Sequence, residues 1–394
     1  MEDWVVLVAL GLIFLCGLAL DVFGRIVHVP RVTLLMIMGA VAGPPVLGLI
    51  PSALVDQSGL YSDVALTMVA FLLGGVLRPA ELRRHGREIM AYSLAIVVLS
   101  GLIVCLGLLA LGGDPALAVL LGAISVATAP AATMDVIRQS GRTDDFAKTI
   151  MSIVAIDDAW GILVFSGAMV VAGILVGLEL SAALTHGLWE IAGAVLAGVA
   201  IGAPAAFFTG RIKQGEPILI EAIGLVFLCS GAALALDVSF LLTGMVCGAV
   251  IVNFARHHER PFHEIERIEW PFMLLFFVLA GASFDAANLS GIWMLVIGFV
   301  VLRIASRMIG GVVGARLGGR PIKEGLLMGL ALTPQAGVSI GMALVAASQF
   351  PFLAEPLIAI VMVTTIFFEL VGPFGTQIAL RLHGEPKQAQ MEGS

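Results

Sequence analysis

Thirteen apolar runs divide this chain, and the basic residues between them fall almost entirely in alternate loops. The runs lie at about 4–20, 31–50, 60–77, 89–111, 116–136, 150–175, 188–209, 218–235, 238–253, 271–284, 291–314, 325–348 and 356–380. About 20 apolar residues suffice to cross the hydrocarbon core of a bilayer. Arg25 and Arg31 follow the first run, and Arg78, Arg83, Arg84 and Arg87 follow the third. Arg138, Arg142 and Lys148 follow the fifth, Arg211 and Lys213 the seventh, and Arg256, Arg260 and Arg267 the ninth. Arg316, Arg320 and Lys323 follow the eleventh, and Arg381 and Lys387 end the chain. The N-terminus and the intervening loops hold only acids, such as Asp56, Asp114, Glu179 and Asp237. Nineteen of the 21 Lys and Arg residues therefore share one side, which the positive-inside rule makes cytoplasmic. Adding or removing one crossing would scramble this order, so the pattern predicts thirteen transmembrane helices, N-terminus outside and C-terminus inside.

This is the reading of an all-α polytopic membrane protein. At 59% hydrophobic and 12% charged residues, the chain lies far from the roughly 25% charge of soluble domains. The first run has no basic residue before it and reads as a retained span rather than a removed signal. Cys16, Cys105, Cys229 and Cys247 lie in apolar runs without paired spacing and read as small buried hydrophobes. Residues 1–382 are expected to form a single membrane domain, with 383–394 as a short cytoplasmic tail, too short for a soluble nucleotide-binding regulatory domain. Lipid is the expected surrounding partner, and no nucleic acid is expected.

Among the charges inside the apolar runs, two close pairs stand out. Asp157 and Asp158 sit together inside the run from Ile150 to Leu175. A charged side chain at the centre of a membrane helix costs about 2.5–3.5 kcal/mol on insertion scales. Neighbours on a helix point about 100° apart, so one Asp can face a cavity while the other meets a charge on another helix. Arg303 and Arg307 lie within the eleventh run, four apart and so on one helix face. An intramembrane Arg calls for an intramembrane acid, and the Asp pair is the candidate.

Two further runs are interrupted. The fifth contains Thr128-Ala129-Pro130 and the twelfth Thr333-Pro334-Gln335. Proline removes a helical donor and frees a carbonyl. Paired interruptions in corresponding positions of two halves point to a transporter binding site. These two lie seven runs apart, an odd number, so the helices run in opposite directions as an inverted repeat requires.

With these residues in view, the sequence resembles the monovalent cation:proton antiporter superfamily, in particular its sodium/proton antiporter branch. Val29-Pro30 with Gly39 through Gly43-Pro44, Phe71-Leu72-Leu73-Gly74-Gly75, and Phe276 through Gly281 are similar to its helix signatures, and Asp157-Asp158 to its paired acid. The resemblance implies an inverted-repeat fold with two crossed discontinuous helices, and a homodimer with a dimerisation part and a mobile core, about 89–175 and 291–380. It implies that Asp158 is the principal ion and proton carrier and that Asp157 pairs with a basic residue, which Arg307 matches best and Arg303 second. It implies no cofactor and no enzymatic activity. Two departures stand out: the basic position holds Arg, which does not deprotonate, and Ala129 stands where some members have an acid.

A single carboxylate that takes either a proton or a metal ion couples the two fluxes without ATP. Asp158, the Thr128 hydroxyl and carbonyls freed around Ala129-Pro130 are the expected ligands for Na+, with Li+ or K+ as alternatives. A sodium-coupled symporter for an organic anion is the rival, and adjacent acids on one helix speak against it. An intramembrane aspartyl protease needs two carboxylates from separate helices sharing a proton, which neighbouring residues do not supply.

Overall fold

The computed structural model describes residues 3–27, 31–56, 58–76, 86–209, 218–255, 259–283, 291–335 and 337–384. All the regular structure among them is helical. In chain order the helices are α1 (Asp3–Val27), α2 (Arg31–Ala42), α3 (Ser52–Asp56), α4 (Ser58–Val76), α5 (Gly86–Ala110), α6 (Pro115–Ile124), α7 (Pro130–Ser140) and α8 (Asp145–Leu175). There follow α9 (Leu180–Thr209), α10 (Ile218–Leu236), α11 (Phe240–Phe254), α12 (Glu259–Ala282), α13 (Trp293–Gly318), α14 (Ile322–Ala331), α15 (Gly337–Gln349) and α16 (Ala354–His383).

Seven of the described helices, α1, α5, α8, α9, α10, α13 and α16, contain segments long and apolar enough to cross a membrane. Shorter apolar segments lie in α2, α4, α6, α11, α12 and α15. Two of the apolar runs are split: 116–136 spans the pair α6 and α7, and 325–348 spans α14 and α15. The run 31–50 is helical only to Ala42, because Gly43-Pro44-Pro45 cannot continue the ladder and the chain turns through Gly48 at φ 61°. The helical end of the last run lies at His383, and residues 385–394 of the expected tail lie outside the described set.

Local chemistry sets several of the boundaries. Asp114 caps α6 by accepting from Ala116 N at 2.9 Å and Leu117 N at 3.1 Å, with Pro115 in the first turn. Ser239 caps α11 through Leu242 N at 3.2 Å. Gly319 ends α13 in the left-handed region, where a side chain would be strained.

Lipid offers no hydrophobic drive for helices to associate, so close packing of small residues must do the work. It does so between α4 and α11: a Cβ on Gly248 would overlap the Phe71 carbonyl oxygen, and one on Gly74 the Met245 oxygen. The α13–α5 contact follows the same rule, with Gly310 against Ile96 and Gly314 against Tyr92.

At one end of the bundle, a cavity of about 270 Å³ is lined by Glu88 of α5, Arg142, Asp144, Arg320, Glu324 of α14 and His383 of α16. Arg142 bonds both Asp144 (Nη2 to Oδ2, 2.6 Å) and the Leu380 carbonyl oxygen, which ties the start of α8 to the end of α16. The hydrogen bond from Arg142 holds the Asp144 carboxyl below the usual carboxylate range.

Candidate ion-binding site

Helix α6 stops at Ile124 because its next carbonyls have no helical donors to meet. In a continuous helix Val126 O would accept from residue 130, but Pro130 has no N–H. Ser125 O would accept from Ala129 N, but that N–H reaches across to Pro334 O at 3.0 Å. The second interruption mirrors this. Leu330 O would take the N–H of residue 334, which is again proline, and the Thr333 hydroxyl occupies it instead at 2.8 Å. Thr376 donates to Ala331 O at 2.9 Å. The two unwound segments therefore meet at the Ala129–Pro334 hydrogen bond.

The carbonyls so exposed are taken up by two arginines of α13, both 0% exposed. Arg303 donates from Nε to Ser125 O (3.1 Å), from Nη2 to Ala127 O (2.9 Å) and from Nη1 to Thr333 O (2.7 Å). One guanidinium thus satisfies both interruptions, and it lies 4.4 Å over the Phe368 ring. Arg307 donates from Nη2 to Ser125 O, Val126 O and Ala127 O at 3.1, 2.5 and 3.1 Å. Its Nη1 lies 3.4 Å from Asp157 Oδ2.

Asp157 is fully buried on α8. Ser93 of α5 donates to its Oδ1 at 2.7 Å and Thr128 to its Oδ2 at 3.2 Å. The structure thus brings together Asp157, Thr128, Arg307 and the Ser125–Ala127 carbonyls, while Arg303 spends its donors on backbone. Asp158 is the next residue of α8, and its side chain lies outside the described residues. Gln335 is buried at the second interruption, with neither amide atom hydrogen-bonded among the described residues.

A helix C-terminus carries roughly half a negative charge and an N-terminus roughly half a positive one. Helices α6 and α14 end at this point and α7 and α15 begin at it, so the four ends offset one another and the two guanidiniums face the Asp157 carboxylate with one positive charge in excess. Sequence reasoning missed Ser93, and a signal was there: it is one of few hydroxyls in the apolar run 89–111. The backbone role of the arginines had no such signal.

The sequence matches the transmembrane sodium/hydrogen exchanger family over residues 10–382. It is 25% identical over 394 residues to the ammonium/H(+) antiporter subunit AmhT of Alkalihalophilus pseudofirmus, covering 97% of this chain and 96% of that protein. It is 24% identical over 350 residues to the Na(+)/H(+)-K(+) antiporter GerN of Bacillus cereus, covering 87% of this chain and 88% of that one. The fold is similar to that of the sodium proton antiporter MjNhaP1 from Methanocaldococcus jannaschii at pH 8, with a TM-score of 0.78 at 19% identity, over 98% of this chain and 100% of that one. A second structure of MjNhaP1, an electron-microscopy map, matches at a TM-score of 0.76 and 18% identity, with the same coverage. Matched over nearly its whole length in sequence and in fold, the chain belongs to the sodium/hydrogen exchanger family of monovalent cation:proton antiporters, membrane transporters and not enzymes.

Proposed function

We propose that this protein exchanges a monovalent cation for protons by alternating access, with the two passengers competing for Asp158. The observation that carries this reading is the buried Asp157–Arg307 pair where the two interrupted helices meet, one residue from Asp158. The Asp158 carboxylate is a single negative site that takes a proton or a cation, one at a time. Thr128 supports the cation. Its single hydroxyl proton is committed to Asp157, which leaves oxygen lone pairs to face an ion.

Na+ is the first candidate, with Li+ and K+ next; a relative named for ammonium widens the range to be tested. Asp157 and Arg307 are the structural charge pair, and Arg303 is the staple of the crossing. The thirteen-crossing topology, with the N-terminus outside, makes the two interruptions an inverted repeat. A core of about 89–175 and 291–380 carries the site between the two sides, and the remaining helices form the scaffold of a homodimer.

The test is cation-evoked proton flux in proteoliposomes. Asp158→Asn, checked for folding by its melting curve, is expected to fall to the level of empty vesicles with Na+, Li+ or K+. Wild-type exchange by that variant would remove Asp158 from the centre of the reading.

A further inference from the structure

Gln335, Ser339 and Thr365 are each 0% exposed, and the polar side-chain atoms of all three are without a hydrogen-bonding partner among the described residues. Inside a bilayer such groups are costly unless something else satisfies them. Their positions show what that could be.

Asp144 and Asp145 at the start of α8, Glu324 in the first turn of α14 and His383 at the end of α16 line one cavity. So α8 and the α14–α15 pair both run away from that end, and α16 returns to it. The Met342 Cε lies 3.5 Å from where a Cβ on Gly161 would stand, which sets α15 against α8 at that level. A Met side chain on a helix leans back over the preceding turn, so the turn of α15 that holds Ser339 comes to the level of Gly161, within one turn of Asp158 on α8.

The helical wheel puts Ser339 on the matching side. Gly337 faces Phe277 of α12 and Gly341 faces Leu66 of α4. At about 100° per residue, Ser339 lies about 160° from both and only about 60° from Met342. It is therefore turned away from α4 and α12 and toward the α8 side.

Thr365 comes to the same depth from α16. The short connection through Pro351–Leu353 makes α15 and α16 antiparallel, and further along α16 Gly372 meets Pro334 of the unwound segment and Gly375 meets Leu330 of α14. That order brings Thr365 toward the turn 338–341. Gln335 follows Pro334, whose carbonyl holds Ala129 N. All three groups thus lie on the elements that flank the two interruptions and the acidic turn of α8.

We propose that Gln335, Ser339 and Thr365 supply neutral oxygen ligands to the transported monovalent cation, opposite Thr128. This rests on the reading of Asp158 given above. A small hard cation takes several oxygens, and a carboxamide and two hydroxyls add them without adding charge. One carboxylate therefore still sets the exchange, while the neutral oxygens set affinity and selectivity among cations.

The test uses the full-length protein in proteoliposomes, with Ser339→Ala, Thr365→Val and Gln335→Leu. Each is expected to raise the KM for Na+ about tenfold, the loss of one hydrogen-bond-strength contact to a charge. The maximal rate should be kept, and the rise in melting temperature produced by adding Na+ should shrink. A purely structural role would move the apo melting temperature and leave the KM and the Na+-induced shift unchanged. If Gln335→Leu does not fold, the two hydroxyl deletions decide. Wild-type KM and wild-type Na+-induced shifts in the hydroxyl variants, with Asp158→Asn inactive, would overturn this inference alone. An active Asp158→Asn would overturn the reading beneath it.

Discussion

Arg303 shows how a single side chain can hold a crossing together. Its three nitrogens meet three carbonyls from two separate segments, Ser125 and Ala127 on one and Thr333 on the other. A planar fork can do this, whereas a lysine ammonium is one point on a flexible stem. Arg303→Lys keeps the charge but leaves Ser125 O and Ala127 O to Arg307 alone and takes the fixed Nη1 donor from Thr333 O, and a buried carbonyl without a donor costs about 1–3 kcal/mol. We expect a lower melting temperature in detergent for Arg303→Lys than for the wild type; an unchanged melt would show that the carbonyls have other partners.

At the scale of elements, the interruptions are made by missing donors. Pro334→Ala restores the N–H that a continuous helix would direct to Leu330 O and lifts the penalty of about 3 kcal/mol that proline sets on such a helix. The expected outcome is a melting temperature equal to or above wild type with a large loss of cation-evoked proton flux. Wild-type flux would mean that the unwound turn is not needed for exchange. A second element-level device is the Arg142–Asp144 contact that ties α8 to the end of α16. The Asp144 carboxyl is held below its ordinary range, first of all by its hydrogen bond from Arg142. A carboxyl whose folded pKa is depressed stabilises the fold above its unfolded value, near 3.9, and that stability is lost as pH falls through the folded value. Asp144→Asn should therefore melt earlier than wild type at pH 7, with the gap closing in melts taken below about pH 4. A gap independent of pH would assign the loss to packing instead.

For the molecule as a whole, the distribution of Lys and Arg makes a claim about sidedness. Single cysteines introduced at Asp114 or Glu179, in a background without the four native cysteines, should react with an impermeant thiol reagent added outside the cell. One at Ser394 should react only after the membrane is opened. The reverse labelling pattern would invert the topology. The pairing of α6 with α7 and of α14 with α15 on the two split runs is compatible with this order, because each pair completes one passage through the bundle.

The membrane class, the all-helical fold and the interruptions at Pro130 and Pro334 were legible in the amino-acid order. They depend on local properties, namely apolar length, charge between runs and the absence of an N–H on proline. The charged residues Asp157, Asp158, Arg303 and Arg307 were also conspicuous, because charge is rare in apolar segments. What each arginine touches was not legible. Arg303 and Arg307 are one turn apart on the same face, and only the packing of α13 against the unwound segments divides their donors between backbone and Asp157. Ser93 stood out only as a hydroxyl in an apolar run: its meaning as a donor to Asp157 comes from what stands opposite it, and that is decided in three dimensions.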